Sequence, residues 1–95
     1  MAKSARNILC RAFVAPGAVI VNAVVSYETD TMRLLKVHPF EQETASTSHF
    51  DGIVVNGLPM NDVEMTVSVA GFRARLEEIA ASLEKSDRII LVPLS

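Results

Sequence analysis

Ninety-five residues with 49% hydrophobic and 21% charged side chains describe one folded domain, because a chain of this size buries about two-thirds of its unfolded surface and has none left for a second core. A formal net charge of −2 with nine scattered basic residues gives no electrostatic footprint for a nucleic-acid partner, and no Trp, one Tyr and four Phe leave few platforms for stacking bases or sugars. No stretch reaches the roughly 18 unbroken apolar residues of a membrane span. The one cysteine, Cys10, has no internal disulfide partner and reads as a small core residue, which fits a reducing, cytoplasmic compartment.

Lys3 and Arg6 ahead of an apolar region imitate a signal peptide, but Arg11, Pro16, Gly17 and Asn22 cut that region into strand-length pieces. Asn7 to Ala15, NILCRAFVA, is a first strand, and Pro16-Gly17 supplies a tight turn into a second. That second strand, Ala18 to Tyr27, is the most hydrophobic of the chain: Val19, Val21, Ala23, Val25 and Tyr27 share one face while Ile20 and Val24 load the other. Both its faces call for cover, so it belongs in the centre of a sheet. Glu28 to Thr31 is a turn, and Met32 to Phe40 returns as a third strand that either ends at Pro39 or lies at an edge there, since proline donates nothing to a ladder.

Glu41 to Ser48, EQETASTS, is the one clearly polar run and reads as an exposed loop. His49 to Val55 is a fourth strand, with Asn56-Gly57 as its closing turn and Pro59 reinforcing the stop. Val63, Met65, Val67 and Val69 alternate with polar residues as in a strand, with a helix capped by Asn61 and Glu64 as the competitor. From Gly71 to Lys85 the period becomes helical, with Phe72, Leu76, Ile79, Ala80 and Leu83 on a core face and Arg73–Glu77 and Arg75–Glu78 as surface pairs. Ser86-Asp87 turns the chain into a last strand, Arg88 to Leu94. The expected fold is α+β: a mostly antiparallel sheet of five or six strands with one amphipathic helix packed on one face. The alternative is a small β-sandwich with an appended helix.

The densest set of potential ligands is His38, Glu41, Glu43, His49 and Asp51, which a loop over 41–48 brings together if the third and fourth strands pair. Their spacing matches no metal motif, so no metal or other cofactor is assigned and solvated carboxylates are the favoured reading. The TASTS run lacks the glycines and lysine of a phosphate-cradling loop. Cys10, or Ser48 beside His49, lacks the oriented base that a nucleophile needs.

Residues 7–57, with two short strands forming a hairpin, a polar stretch and then FDGIVVNGL, resemble the small β-sandwich portion that precedes the barrel in the amidohydrolase superfamily, with Asn56-Gly57 standing where a Pro-Gly pair usually closes the run. A His-x-His metal motif follows in that family, whereas LPMNDVEM follows here, so no catalytic residue carries over. The resemblance implies an accessory fold of that kind without the metal-binding barrel.

A competent core without a convergent catalytic set points to a non-enzymatic interaction or structural module. The rival is a small-ligand or divalent-metal-binding protein using the 38–51 region. One helix covers only part of one side of a five-stranded sheet, and the second and last strands are apolar on both sides, so a homodimer or an unidentified protein partner is expected to close the remainder, the alternative being a sheet that folds over into a sandwich and buries both faces by itself.

Overall fold

A computed structural model of the chain describes residues 4–41, 47–59 and 70–94. Its elements are β1 (Ala5–Ala15), β2 (Ala18–Glu28), β3 (Arg33–Pro39), β4 (Thr47–Pro59), α1 (Phe72–Ala81) and β5 (Leu83–Pro93). The strands run in the order β1-β2-β3-β5-β4, and β4 returns alongside β1 to close a barrel. That closing pair is parallel, and every other neighbouring pair is antiparallel. The mostly antiparallel sheet with one helix is therefore present, with five strands among the described residues. It is neither flat nor a sandwich, because it curls until its first and fourth strands meet.

Pro16-Gly17 forms the β1–β2 turn as expected, with Gly17 at φ 72° and Ala15 paired to Ala18. The amide of Gly17 donates to the Ala80 carbonyl at 3.3 Å, which ties the hairpin tip to α1. Midway along the hairpin the regular ladder breaks. β1 shifts register against β4 between Cys10 and Ala12, and Asn22 on β2 adopts φ 54°, a left-handed conformation that asparagine tolerates better than most residues.

This irregularity exchanges the faces of β1. Ile8, Cys10 and then Phe13 join one core with Ala23, Val25, Tyr27, Val54 and Ile89, while Ala12 and Val14 join another with Ile53, Val55 and Val92. The first core, to which all five strands contribute once half-buried Leu34 and Val37 are included, fills the barrel. The second lies outside it, under Leu76, Ile79 and Ala80 of α1. Fully burying such aliphatic side chains stabilises the fold by about 1.5–3 kcal/mol each. β2 shows the consequence: every residue from Ala23 to Glu28 is buried. Curvature encloses one face of the sheet, and α1 covers part of the other.

Three boundaries differ from expectation. Asn56-Gly57 does not end β4, which continues to Pro59. The register slips between Asn56 and Leu58, Gly57 takes φ 130°, and a Cβ on Gly57 would stand 2.7 Å from the Glu84 carbonyl oxygen. The pair thus marks a bulge inside a strand, a role that favours the same residues as a hairpin turn. The helix, expected to reach Lys85, stops at Ala81, where Ser82 donates from its amide and its hydroxyl to the Ile79 carbonyl at 3.0 and 2.8 Å. Leu83 and Glu84 instead begin β5 by pairing with Pro59 and Leu58. Ser86-Asp87, expected as a turn, lies within β5. The Asn56 side chain replaces ladder bonds there, donating to the carbonyls of Ser86 at 3.0 Å and Arg88 at 2.9 Å. Of the two helix surface pairs, Arg75–Glu78 forms at 2.7 Å. The polar loop over 42–46 and the strand-or-helix segment over 63–69 lie outside the described residues, while Thr47 and Ser48 open β4.

Candidate interaction edge

β3 is the shortest strand, RLLKVHP. On one side it pairs with β2 from Glu28–Arg33 to Ala23–Pro39, with one extra residue, Leu35, accommodated where the register shifts. On the other side it meets β5 at a single ladder pair, Arg33–Arg88. The Ile89 amide, donating to the Met32 carbonyl at 2.8 Å, and an Arg33–Asp87 ion pair at 3.2 Å hold that junction. From Leu34 to Pro39 the second edge has no strand partner among the described residues. On its other side, the same stretch of β5 is bonded to β4 by the Asn56 side chain, through the Ser86 and Arg88 carbonyls.

The direction of the backbone groups that do not bond β2 follows from the ladder. Phe40 donates its amide to Asn22 on β2 at 2.8 Å, and the pairing from Val37 to Pro39 is regular. By strand alternation the amide and carbonyl of Val37 and the carbonyl of Pro39 turn to the open side. Pro39 therefore costs the β2 ladder nothing, and the expectation that it ends the strand is met. Large apolar groups flank the edge: Leu35 is 51% exposed, Phe40 39% and nearby Val21 39%.

The residues singled out as potential ligands divide between two places. His38 is exposed on β3, its Nδ1 3.0 Å from the Pro39 carbonyl oxygen, and Glu41 is exposed just beyond the strand. Glu43 lies outside the described residues. His49 and Asp51 are exposed on β4, where they share a shallow depression of about 240 Å³ with Arg11 and Asn22. Arg11 Nε donates to Asp51 Oδ1 there at 2.9 Å. β3 and β4 are not neighbours in the barrel, so the strand pairing that was to join His38 to His49 does not form. Among the described residues no three His, Cys, Asp or Glu side chains are grouped to hold a metal ion.

Cys10 lies below the depression, its Sγ 3.2 Å from the Ala12 carbonyl oxygen and 3.4 Å from that of Ala23. Burial pushes the thiol up from 9.0 to about 11 against the opposing effect of backbone hydrogen bonds, so it stays protonated at neutral pH and is a poor nucleophile.

Sequence reasoning reached β3 but missed its open edge. The signal was Pro39, which already limited the strand to an end or an edge. No described helix is long and apolar enough to cross a membrane. Comparison with protein-family models, curated proteins and solved structures finds no match for this chain, which leaves the amidohydrolase resemblance resting on the residue pattern over 7–57.

Proposed function

We propose that this domain is a non-enzymatic interaction module that self-associates through the open edge of β3. The observation that carries the reading is the second edge from Leu34 to Pro39, which has no strand partner among the described residues and is bordered by exposed Leu35 and Phe40. A strand edge with free amides and carbonyls is a template for another strand, and exposed apolar groups beside it add burial on contact. The contact surface of this proposal is the sheet's edge, since the inner face fills the barrel and α1 packs on the outer patch around Val14, Val55 and Val92. A cytoplasmic setting belongs to the same reading and rests on a lone cysteine held out of reach in the core.

Sedimentation equilibrium at micromolar concentrations tests the proposal. The expected result is a concentration-dependent mass rising above 10.3 kDa toward twice that value. A constant mass of one chain overturns it. The depression holding His49, Asp51, Arg11 and Asn22 supports the rival, a small-ligand or divalent-metal-binding protein. Isothermal titration with Zn²⁺, Mn²⁺ and Ni²⁺ separates the two, since micromolar binding lost in His49→Ala would replace the interaction reading.

A further inference from the structure

We infer that Asn56-Gly57 is a deamidation site guarded by the fold, and that its conversion to aspartate or isoaspartate unseats the Ser86–Arg88 stretch of β5. An asparagine followed by glycine is chemically labile, because no side chain shields the backbone nitrogen that attacks the amide. The pair has a structural reason to be here all the same. Gly57 takes φ 130°, and a Cβ on it would stand 2.7 Å from the Glu84 carbonyl oxygen. The Asn56 amide donates to the Ser86 carbonyl at 3.0 Å and to the Arg88 carbonyl at 2.9 Å, which neither aspartate nor alanine can do.

The reaction consumes only water. The Gly57 nitrogen, once its proton has passed to a solvent base, attacks Cγ of Asn56. The new C–N bond closes a cyclic imide as the Cγ–Nδ2 bond breaks, and Nδ2 takes up a proton and leaves as ammonia. Water then opens the ring on either side, yielding aspartate or, with an extra carbon in the main chain, isoaspartate. Ring closure requires the Asn56 side chain to turn back onto the next nitrogen of its own chain. In the folded protein Nδ2 is bonded across to β5 by two carbonyls, and Gly57 is buried, so the attack waits on an opening of that junction. The product does not close it again. A carboxylate accepts and does not donate, so it would face two carbonyl oxygens where the amide now bonds them. Isoaspartate also lengthens β4 at the point where its register against β5 already slips.

Peptide mass mapping follows Asn56 in the unaltered chain, held in mildly alkaline buffer with and without denaturing urea. Conversion should be slower in the folded chain by about tenfold or more, the factor expected when two hydrogen bonds must open first. Equal rates would show that the fold does not guard the pair and would overturn the inference. Asn56→Asp carries one of the two products and reads the consequence. In high salt, where exposed Lys85 and Arg88 are screened from the new charge, its urea midpoint should fall below that of Asn56→Ala, and amide exchange over 86–88 should be faster. Failure of Asn56→Asp to fold where Asn56→Ala folds is the same result in its extreme form. A midpoint at or above that of Asn56→Ala overturns the unseating of β5. The rate comparison uses the unaltered chain and decides the guarding whether or not either variant folds.

Discussion

β5 has two neighbours and treats them differently. Toward β4 it is paired at both ends, Ile89–Pro93 with Gly52–Asn56 and Leu83–Glu84 with Leu58–Pro59, and the Asn56 side chain bridges the stretch between them. Toward β3 it offers one ladder pair, Arg33–Arg88. The contrast shows how a bulge can satisfy one side of a strand and strand the other. The carbonyls of Ser86 and Arg88 that bond the Asn56 amide are held to β4, and β3 continues to Pro39 with β2 as its one strand partner among the described residues. In a small barrel the sealed side then carries stability, and the open side is the one proposed for association.

The largest effect is expected where α1 seals the outer core. Leu76 is fully buried against β1, β4 and β5, so Leu76→Ala should lower unfolding free energy by about 2–5 kcal/mol. Urea denaturation measures this, and a loss below 1 kcal/mol would mean that α1 is not what covers that face.

The thiol of Cys10 sharpens the comparison from inside the barrel. Its folded-state value is raised from 9.0 to about 11 by burial. Its contribution is therefore complete below pH 9 and falls away as pH rises from 9 to 11, when the unfolded chain ionises and the folded one resists. The two-unit interval corresponds to about 2–3 kcal/mol. Comparing the pH dependence of stability with that of Cys10→Ala isolates this part, and parallel curves from pH 8 to 11 would contradict it.

Asn56→Ala tests the cause of the asymmetry. Removing the amide leaves the carbonyls of Ser86 and Arg88 without that donor, at an expected cost of about 1–2 kcal/mol. It should also speed amide exchange in the Lys85–Arg88 stretch relative to Val54 and Val55. Unchanged exchange there would show that the bulge is held by something other than the side chain. The smallest effect on the monomer is expected on the open side: Leu35→Ser, at an exposed position, should change stability by no more than about 0.5 kcal/mol while weakening self-association. A large loss of stability would show that Leu35 is structural.

The sequence was most legible where the determinants are local. Pro16-Gly17 specifies its hairpin by turn chemistry, and the helical spacing of Leu76, Ile79, Ala80 and Leu83 identifies a core face even though Leu83 belongs to β5. A buried leucine at the junction satisfies both patterns, so periodicity alone could not find the end of α1. Asn56-Gly57 and Ser86-Asp87 carry turn chemistry that also suits bulges, and what makes them bulges is pairing between segments about 30 residues apart. The parallel β1–β4 ladder and the separation of β3 from β4 are long-range choices of the same kind. His38 and His49 stay apart for that reason, since joining them required a strand order that no local pattern encodes.

The central claim, that β3 pairs with another copy through its open edge, is tested most directly at the amide of Val37. Hydrogen exchange is followed residue by residue at two protein concentrations, one above and one below the association midpoint. The account predicts that Val37 is protected at the higher concentration and exchanges freely at the lower, while Phe40, bonded to Asn22 within the chain, is equally protected at both. A Val37 amide that exchanges at one fast rate regardless of concentration would contradict it.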